Sequence, residues 1–254
     1  MVGDDVEISV IDENEKTGNV DEILQRKSAL IRPAVANIDM ALVIFAVDAP
    51  KPNLNLLDRF LCMMEFWGIP CEICFNKSDL SDEAARNALG QIYEPTGYPV
   101  LFTSAKRDEG LSGLLDSLMH KTSAVAGPSG VGKSSLINRL LGEERMQTGV
   151  ISRKIARGKH TTRHSEILPI AEDTYIMDTP GFGSMDLTGI PKESLRNCFP
   201  EFRGYEPQCR FAGCSHIGEP DCGVKEALLR GEIAQSRYDN YLRLYEECKN
   251  ASKY

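Results

Sequence analysis

The chain has 254 residues, of which 42% are hydrophobic, and its formal net charge is −8. This composition is typical of a globular protein with a real core, and no apolar run approaches the roughly 18–20 residues that span a membrane. The polar start is unlike a signal peptide, so we expect a cytoplasmic protein without a membrane partner. The acidic balance argues against a protein coated by nucleic acid, and the eight cysteines favour metal ligands or buried thiols over disulfides.

Residues 1–33 differ in pattern from the rest of the chain. Residues 6–10 alternate apolar and polar side chains like a strand, a polar turn comes next, and Pro33 closes the segment. One or two strands cannot bury a core by themselves. We therefore expect a small β segment that is appended to a main domain.

Residues 34–187 show an alternating α/β pattern. Predicted strands lie at 40–47, 70–75, 99–103, 122–126, 165–170 and 174–177, and predicted helices at 54–67, 82–93, 111–118 and 135–141. We expect the last two strands to be adjacent, as a hairpin. The alternation predicts a doubly wound sheet whose ligands bind at the carboxyl ends of the strands.

A glycine-rich loop follows the predicted strand 122–126 and fits the pattern G-x-x-x-x-G-K-[ST]. Such a loop turns its backbone N–H groups onto the phosphates of a nucleoside triphosphate, and the next helix adds its positive dipole end. Lys133 is expected to reach the outer phosphates and Ser134 to ligate Mg²⁺. The candidate residues are Gly127, Pro128, Ser129, Gly130, Val131, Gly132, Lys133, Ser134 and Ser135.

Two further loops predict that the base is guanine. Asn76, Lys77 and Asp79 follow the strand 70–75: the carboxylate can accept from guanine N1 and N2, the amide can meet N7, and the lysine stem can cover the base. Ser104 and Ala105 follow the strand 99–103 and offer a hydroxyl and a backbone N–H to the O6 side. Adenine cannot supply the donors that Asp79 requires.

The segment after strand 174–177 predicts a γ-phosphate sensor. Asp178 can hold Mg²⁺ through water, and the Gly181 N–H can contact the γ-phosphate. Such contacts are lost when the phosphate leaves, so we expect a switch.

The order of these motifs is permuted, because the base-binding loops precede the phosphate loop and the sensor comes last. The sequence therefore predicts a circularly permuted P-loop GTPase. The sensor leads directly into the C-terminal region, which can then respond to the nucleotide.

Hydrolysis requires a group that positions water. Many GTPases have Gln after the D-x-x-G motif, whereas this chain has Phe182, so we expect slow intrinsic turnover. The basic segment 151–165 contains His160, the best internal candidate, and Thr161 and Thr162, candidates for a second Mg²⁺ hydroxyl. This segment has two interpretations, a solvated mobile loop or a phosphate-backbone contact that orders on RNA.

The C-terminal region contains the pattern C-x₄-C-x-H-x₅-C. Three thiolates and one imidazole make a closed tetrahedral set, which predicts one structural zinc ion. The ligands are Cys209, Cys214, His216 and Cys222.

The remaining cysteines are predicted to be core thiols. Cys71 and Cys74 lie three apart on a strand and therefore point to opposite faces, so they do not share a metal. Cys62, Cys198 and Cys248 have the same interpretation. A largely aromatic stripe on the last helix is predicted to pack against the cysteine-rich segment; its members are Ile233, Arg237, Tyr238, Tyr241, Leu242 and Tyr245.

Taken together, these motifs closely resemble the ribosome small-subunit-dependent GTPase A family over about residues 33–250. The resemblance rests on RGKHTT at 157–162, DTPGF at 178–182, FPEF at 199–202, CRFAGCSH at 209–216 and RYDNY at 237–241. It implies an OB-like segment at 1–33, a permuted GTPase domain at 34–187 and a zinc-binding, mostly helical domain at 188–254. An OB barrel needs five strands, and residues 1–33 supply only its last part.

The resemblance also implies an activity. It implies a monomer that binds GTP and GDP, contacts the small ribosomal subunit and its rRNA, and assists late maturation of that subunit, which stimulates hydrolysis. It assigns catalysis to His160, a magnesium ligand to Thr162 and zinc to the Cys₃His set. Two alternatives stay open at this point: a zinc-stabilised RNA-binding module with an inactive GTPase domain, and a permuted GTPase that serves the large subunit.

Overall fold

The centre of the fold is a six-stranded sheet built from the apolar stretches that begin at Met40. The computed structural model describes residues 1–30, 34–142, 166–178, 187 and 189–251. Its strands are β1 Val6–Asp12, β2 Thr17–Ile23, β3 Ala29–Leu30, β4 Val35–Ala36, β5 Met40–Ala46, β6 Cys71–Asn76, β7 Val100–Phe102, β8 Thr122–Ala126, β9 Glu166–Ala171 and β10 Thr174–Asp178. Its α-helices are α1 Leu54–Phe66, α2 Glu83–Tyr93, α3 Leu111–Leu118, α4 Lys133–Leu141, α5 Gly223–Leu229 and α6 Gln235–Ala251.

The strand order in the sheet is β7-β6-β5-β8-β10-β9. The first five strands are parallel, and β9 pairs antiparallel with β10, which confirms the predicted hairpin. All seven residues of β5 are buried, as expected for a parallel strand that helices cover on both faces. The carboxyl ends of β6, β7, β8 and β10 therefore meet at one edge of the sheet.

Helix α4 begins two residues earlier than the predicted helix 135–141. Gly132 adopts a left-handed conformation (φ +94°) immediately before the helix, so Lys133 and Ser134 already lie in its first turn. The first-turn N–H groups of a helix have no intrahelical acceptors. The end of the phosphate loop and the start of the helix are thus one structural unit.

The buried thiols agree with their prediction. Cys71 lies in the core on the α1 side of the sheet, whereas Cys74 lies in the core on the α3 and α4 side. Burial raises the pKa of the Cys74 thiol to about 12. Cys62, Cys198 and Cys248 are buried together where α1 meets the C-terminal region.

The N-terminal strands β1 and β2 form an antiparallel hairpin in which every residue except Asp12 is exposed. A second short ladder pairs β3 with β4, and Val2 forms a parallel bridge to Val35. The N-terminal segment contacts the core through this second ladder.

The C-terminal region consists of short 3₁₀ turns followed by α5 and α6. The turns span Leu195–Cys198, Pro200–Phe202 and Glu206–Gln208. Tyr238 donates to His216 O and Tyr241 donates to Ser215 O, each at 2.6 Å, which confirms that the stripe on α6 packs against the cysteine-rich segment.

Helix α1 lies between the sheet and this region, and a buried ion cluster joins them. Arg237 Nη1 donates to Asp58 Oδ1 at 2.6 Å, and Arg237 Nε donates to Glu201 Oε1 at 2.7 Å. Asn240 and Tyr93 also donate to Asp58. Burial opposes the charge of Arg237, yet the two carboxylates raise its pKa above the usual value, so the guanidinium stays protonated.

Candidate nucleotide and metal sites

The phosphate loop joins the end of β8 to α4. Gly127 has a φ of +144°, and a Cβ added there would lie 2.1 Å from Ile44 O on the neighbouring β5. A Cβ on Gly132 would lie 2.4 Å from Asn76 Nδ2. These two glycines are required both for their backbone conformation and for the close approach of β5 and Asn76.

Lys133 lies over the loop and faces the end of β10. Its ammonium donates to Gly127 O and Pro128 O, both at 2.8 Å. Burial lowers the pKa of Lys133, and the nearby Asp178 carboxylate opposes that effect; burial likewise raises the pKa of Asp178, against the effect of Lys133. The structure thus brings together the predicted phosphate ligand at the start of α4 and the predicted magnesium carboxylate at the end of β10.

Asn76 connects three loops. Its Nδ2 donates to Val131 O at 2.9 Å, and its Oδ1 accepts from Ala105 N and from Thr103 Oγ1 at 3.3 Å each. The Nδ2 group has a second N–H, so these contacts are compatible with the predicted contact to guanine N7. The amide also connects the phosphate loop to the base-binding loops.

The other predicted base-binding residues also lie at this edge. Ser104 Oγ donates to Asp79 Oδ1 at 2.7 Å, so the hydroxyl predicted for the O6 side also orients the predicted base-binding carboxylate. Lys77 has a left-handed backbone (φ +61°), and its ammonium donates to Ala49 O and Gly130 O. Through Lys77, the phosphate loop is connected to the segment that precedes α1.

A pocket of about 820 Å³ lies between these loops, within the size range of small-molecule sites. It is lined by Asn76, Lys77, Asp79, Leu80, Ala105, Lys106, Asp108, Gly132, Ser135, Asn138, Arg139 and Gly142. The prediction included Ser135 in this lining but missed Asn138 and Arg139 on the same face of α4 and Gly142 at its end. The four residues are spaced i, i+3, i+4 and i+7, a helical periodicity that was readable in the sequence.

Arg139 connects α4 to the loop after β7. Its Nε donates to Ala105 O at 3.1 Å and lies 3.3 Å from Asp108 Oδ1. Three predicted site residues, His160, Thr162 and Gly181, lie outside the described residues, as do Thr161 and Phe182.

The predicted zinc ligands converge in the C-terminal region. One ligand atom from each of Cys209, Cys214, His216 and Cys222 lies within 4.8 Å of all the others. Cys209 Sγ is 3.9 Å from Cys222 Sγ, and His216 Nδ1 is 3.4 Å from Cys222 Sγ and 3.6 Å from Cys209 Sγ. Zn–S bonds of about 2.3 Å and Zn–N bonds of about 2.0 Å give tetrahedral edges of about 3.8 Å for S···S and about 3.5 Å for S···N. The donor set therefore fits zinc in both chemistry and size.

The electrostatics of the cluster agree with metal ligation. Burial raises the pKa of Cys214 to about 12 and lowers the pKa of His216. The imidazole is thus neutral near pH 7 with one nitrogen able to accept, and the thiols need a cation to ionise. In the described residues this is the one group of three or more potential ligands close enough to share a metal, and none of the described helices has the length and hydropathy of a membrane span.

Known proteins resemble this chain over its whole length. A small ribosomal subunit biogenesis GTPase RsgA from Agathobacter rectalis is 63% identical over 254 residues, which are all of this chain and 84% of the relative. The protein of the same name from Alkaliphilus metalliredigens is 47% identical over all of this chain and 87% of its own length.

Solved structures show the same fold. YjeQ from Thermotoga maritima matches with a TM-score of 0.80 and 36% identity, over 97% of this chain and 84% of that one. YloQ, described as a circularly permuted GTPase, matches with a TM-score of 0.78 and 35% identity, over 98% of this chain and 80% of that one. These matches confirm the permuted GTPase fold.

A family model agrees with these relatives. The model described as RsgA GTPase matches residues 23–188, which contain the whole six-stranded sheet and the edge where the motif residues meet. The chain therefore belongs to the RsgA GTPase family, a family of GTP-hydrolysing enzymes.

Proposed function

We propose that this protein binds GTP with Mg²⁺, hydrolyses it to GDP, and acts in the biogenesis of the small ribosomal subunit. The observation that carries the proposal is the meeting of the permuted motifs at one sheet edge, in a chain 63% identical to a protein named for that process. We further propose that it is a cytoplasmic monomer that contacts rRNA of that subunit, with domains at 1–33, 34–187 and 188–254.

The phosphate loop is the proposed triphosphate site. Backbone N–H groups of residues 129–135 bind phosphate oxygens, and Lys133 exchanges the carbonyls of Gly127 and Pro128 for the outer phosphates. Ser134 in the first turn of α4, Asp178 at the end of β10 and Thr162 are the proposed residues around Mg²⁺, which neutralises charge on the β- and γ-phosphates when bound. The Gly181 N–H is assigned to the γ-phosphate.

The pocket beside this loop is the proposed guanine site. Asp79 accepts from guanine N1 and N2 while Ser104 holds its other oxygen, and the Lys77 stem covers the base. Asn76 and Ala105 complete the wall of the pocket, in which Asn76 acts mainly by holding the loops together. Specificity for guanine over adenine then rests on the Asp79 carboxylate.

His160 is the residue proposed to position the attacking water, since Phe182 cannot do so. The Cys₃His set is proposed to hold one structural zinc ion, because its donors form a closed tetrahedral set without an open position for a substrate.

The decisive experiment measures GTP turnover by the protein alone, with small subunits and with large subunits. We expect slow turnover alone and stimulation by small subunits, while Lys133→Ala serves as the control that does not turn over GTP. Stimulation only by large subunits would replace the proposed partner, and no stimulation by either subunit would favour a binding module with an inactive GTPase domain.

A second arm tests His160. His160→Ala should retain GTP binding and lose the stimulated turnover. Unchanged stimulated turnover with GTP binding retained would remove His160 from the mechanism.

A further inference from the structure

The two nitrogens of His216 face different partners. Nδ1 is the nitrogen that lies 3.4 Å and 3.6 Å from the sulfurs of Cys222 and Cys209, inside the donor cluster. Nε2, on the other side of the ring, lies 3.3 Å from Glu206 Oε1. Because the ring separates the carboxylate from the thiols, Glu206 is placed to contact the ligand and not the metal.

The backbone of His216 is held by its own loop. The residue has a left-handed backbone (φ +59°), its N–H donates to Cys214 Sγ at 3.4 Å, and its carbonyl accepts from Tyr238. Phe202 packs edge-on against the ring, with the centroids 5.6 Å apart. None of these contacts distinguishes the two orientations related by rotating the imidazole half a turn, since a ring edge packs equally well against nitrogen or carbon.

Glu206 does distinguish them. A carboxylate oxygen attracts an N–H and is poorly placed beside a C–H, so it favours the orientation with Nε2 outward and a proton on it. The Nδ1 lone pair then points at the thiols. Histidine ligands of metals commonly donate their second N–H to such a partner, which fixes the tautomer and raises ligand basicity.

The sequence position of Glu206 suits this role. Glu206 begins the 3₁₀ turn Glu206–Gln208, and its carbonyl accepts from the N–H of the ligand Cys209 at 3.0 Å. The same turn therefore supplies one ligand and the partner of another. Arg196, which donates to Cys214 O at 3.1 Å, adds a positive charge beside a cluster that would carry three thiolates with zinc bound.

We propose that Glu206 is a positioning residue of the zinc site, which accepts a hydrogen bond from His216 Nε2–H and so commits Nδ1 to the metal. The inference rests on the proposed zinc site and adds to it the nitrogen used, the tautomer and the residue that selects them.

The test measures zinc content and the rate of zinc transfer to a chromophoric chelator. We compare the full-length wild type with Glu206→Ala, Glu206→Gln and the control Glu226→Gln, which changes an exposed glutamate on α5. Glu206→Ala should bind zinc about 10- to 100-fold less tightly, as expected for loss of such a partner, and release it correspondingly faster. Glu206→Gln retains an acceptor oxygen and should recover part of the loss, and Glu226→Gln should match the wild type.

Nitrogen NMR of His216 in the zinc-loaded protein supplies a readout that a purely structural role would not change. We expect a protonated Nε2 and a metal-bound Nδ1 in the wild type, and faster exchange of the Nε2 proton in Glu206→Ala. If the wild type contains zinc but Glu206→Ala releases it within twofold of the wild-type rate, the role of Glu206 is overturned and the zinc site stands. Metal bound through Nε2 would have the same consequence. Absence of zinc from freshly purified wild type would overturn the zinc site itself.

Discussion

The N-terminal hairpin and the C-terminal region both flank the central sheet, and they are attached in opposite ways. The hairpin exposes its apolar side chains: Ile8, Val10 and Val20 are 60%, 60% and 62% exposed. The C-terminal region buries even charged side chains, since Arg237 is 1% exposed and Asp58, its partner on α1, is 0% exposed.

Attachment therefore depends on how each segment pairs its polar groups. Across the contact with α1, the buried Arg237 guanidinium lies between the carboxylates of Asp58 and Glu201 and offsets part of their charge. The hairpin is held at its base, where Asn37 Nδ2 donates to Gly3 O and Asp5 Oδ2. We expect the first region to unfold with the core and the second to open locally.

Zinc removal should produce the largest difference between the two regions. Metal binding to comparable zinc clusters supplies about 10–16 kcal/mol of folding free energy. Chelation should therefore abolish amide-exchange protection in residues 209–222 and in α6, while protection in β5 and in the hairpin changes little. Persistence of protection in α6 after zinc has left would show that the aromatic stripe alone holds the region.

Arg237→Met should have the next largest effect. Asp58 and Glu201 would remain buried without a cation, which costs about 3–5 kcal/mol of unfolding free energy. Urea unfolding of the zinc-loaded protein measures the loss, and Arg243→Met, an exposed position on the same helix, is the control. A loss below about 1 kcal/mol would mean that the ion cluster is dispensable for attachment.

Asn37→Ala should weaken the attachment of the N-terminal hairpin to the core. Asn37 is buried and left-handed (φ +56°), and besides donating to Gly3 and Asp5 it accepts from Lys27 N at 2.9 Å. Loss of these bonds should cost about 1–3 kcal/mol. Hydrogen exchange should accelerate in β1 and β2 and not in α6, with Asn19→Ala as the control; equal acceleration in both regions would erase the distinction between them.

A substitution on the exposed face of the hairpin should have the smallest effect on the unfolding free energy. Val20 lies opposite Ile8 and is mostly exposed, so Val20→Thr should change the unfolding free energy by less than about 0.5 kcal/mol. The same change at Val43, which is 0% exposed on β5, buries a hydroxyl and should cost about 1–3 kcal/mol. Similar losses at the two positions would indicate that the hairpin face is covered in solution.

Much of the fold and of the site was predictable because its signals are local. Residues 111–118 and 122–126 have the predicted bounds, and the Cys₃His spacing identified four side chains that converge. The hydrogen bonds among the site residues themselves were not predicted: Ser104 donates to Asp79, and the Asn76 amide contacts Val131 and Ala105. The donors and acceptors of each side chain are known from the sequence, but the atoms with which they form hydrogen bonds depend on loop geometry.

By itself the sequence determined the phosphate loop and the permuted order, and it predicted the carboxylate proposed for guanine and the four proposed zinc donors, because residue type and spacing carry that information. Only the tertiary structure decided which of these groups touch. Arg237 and Asp58 are 179 residues apart, and no local periodicity pairs them. The orientation of His216 likewise depends on Glu206 from a separate turn. Such contacts arise when the packing of distant elements buries charged groups, because a buried polar group without a partner costs free energy.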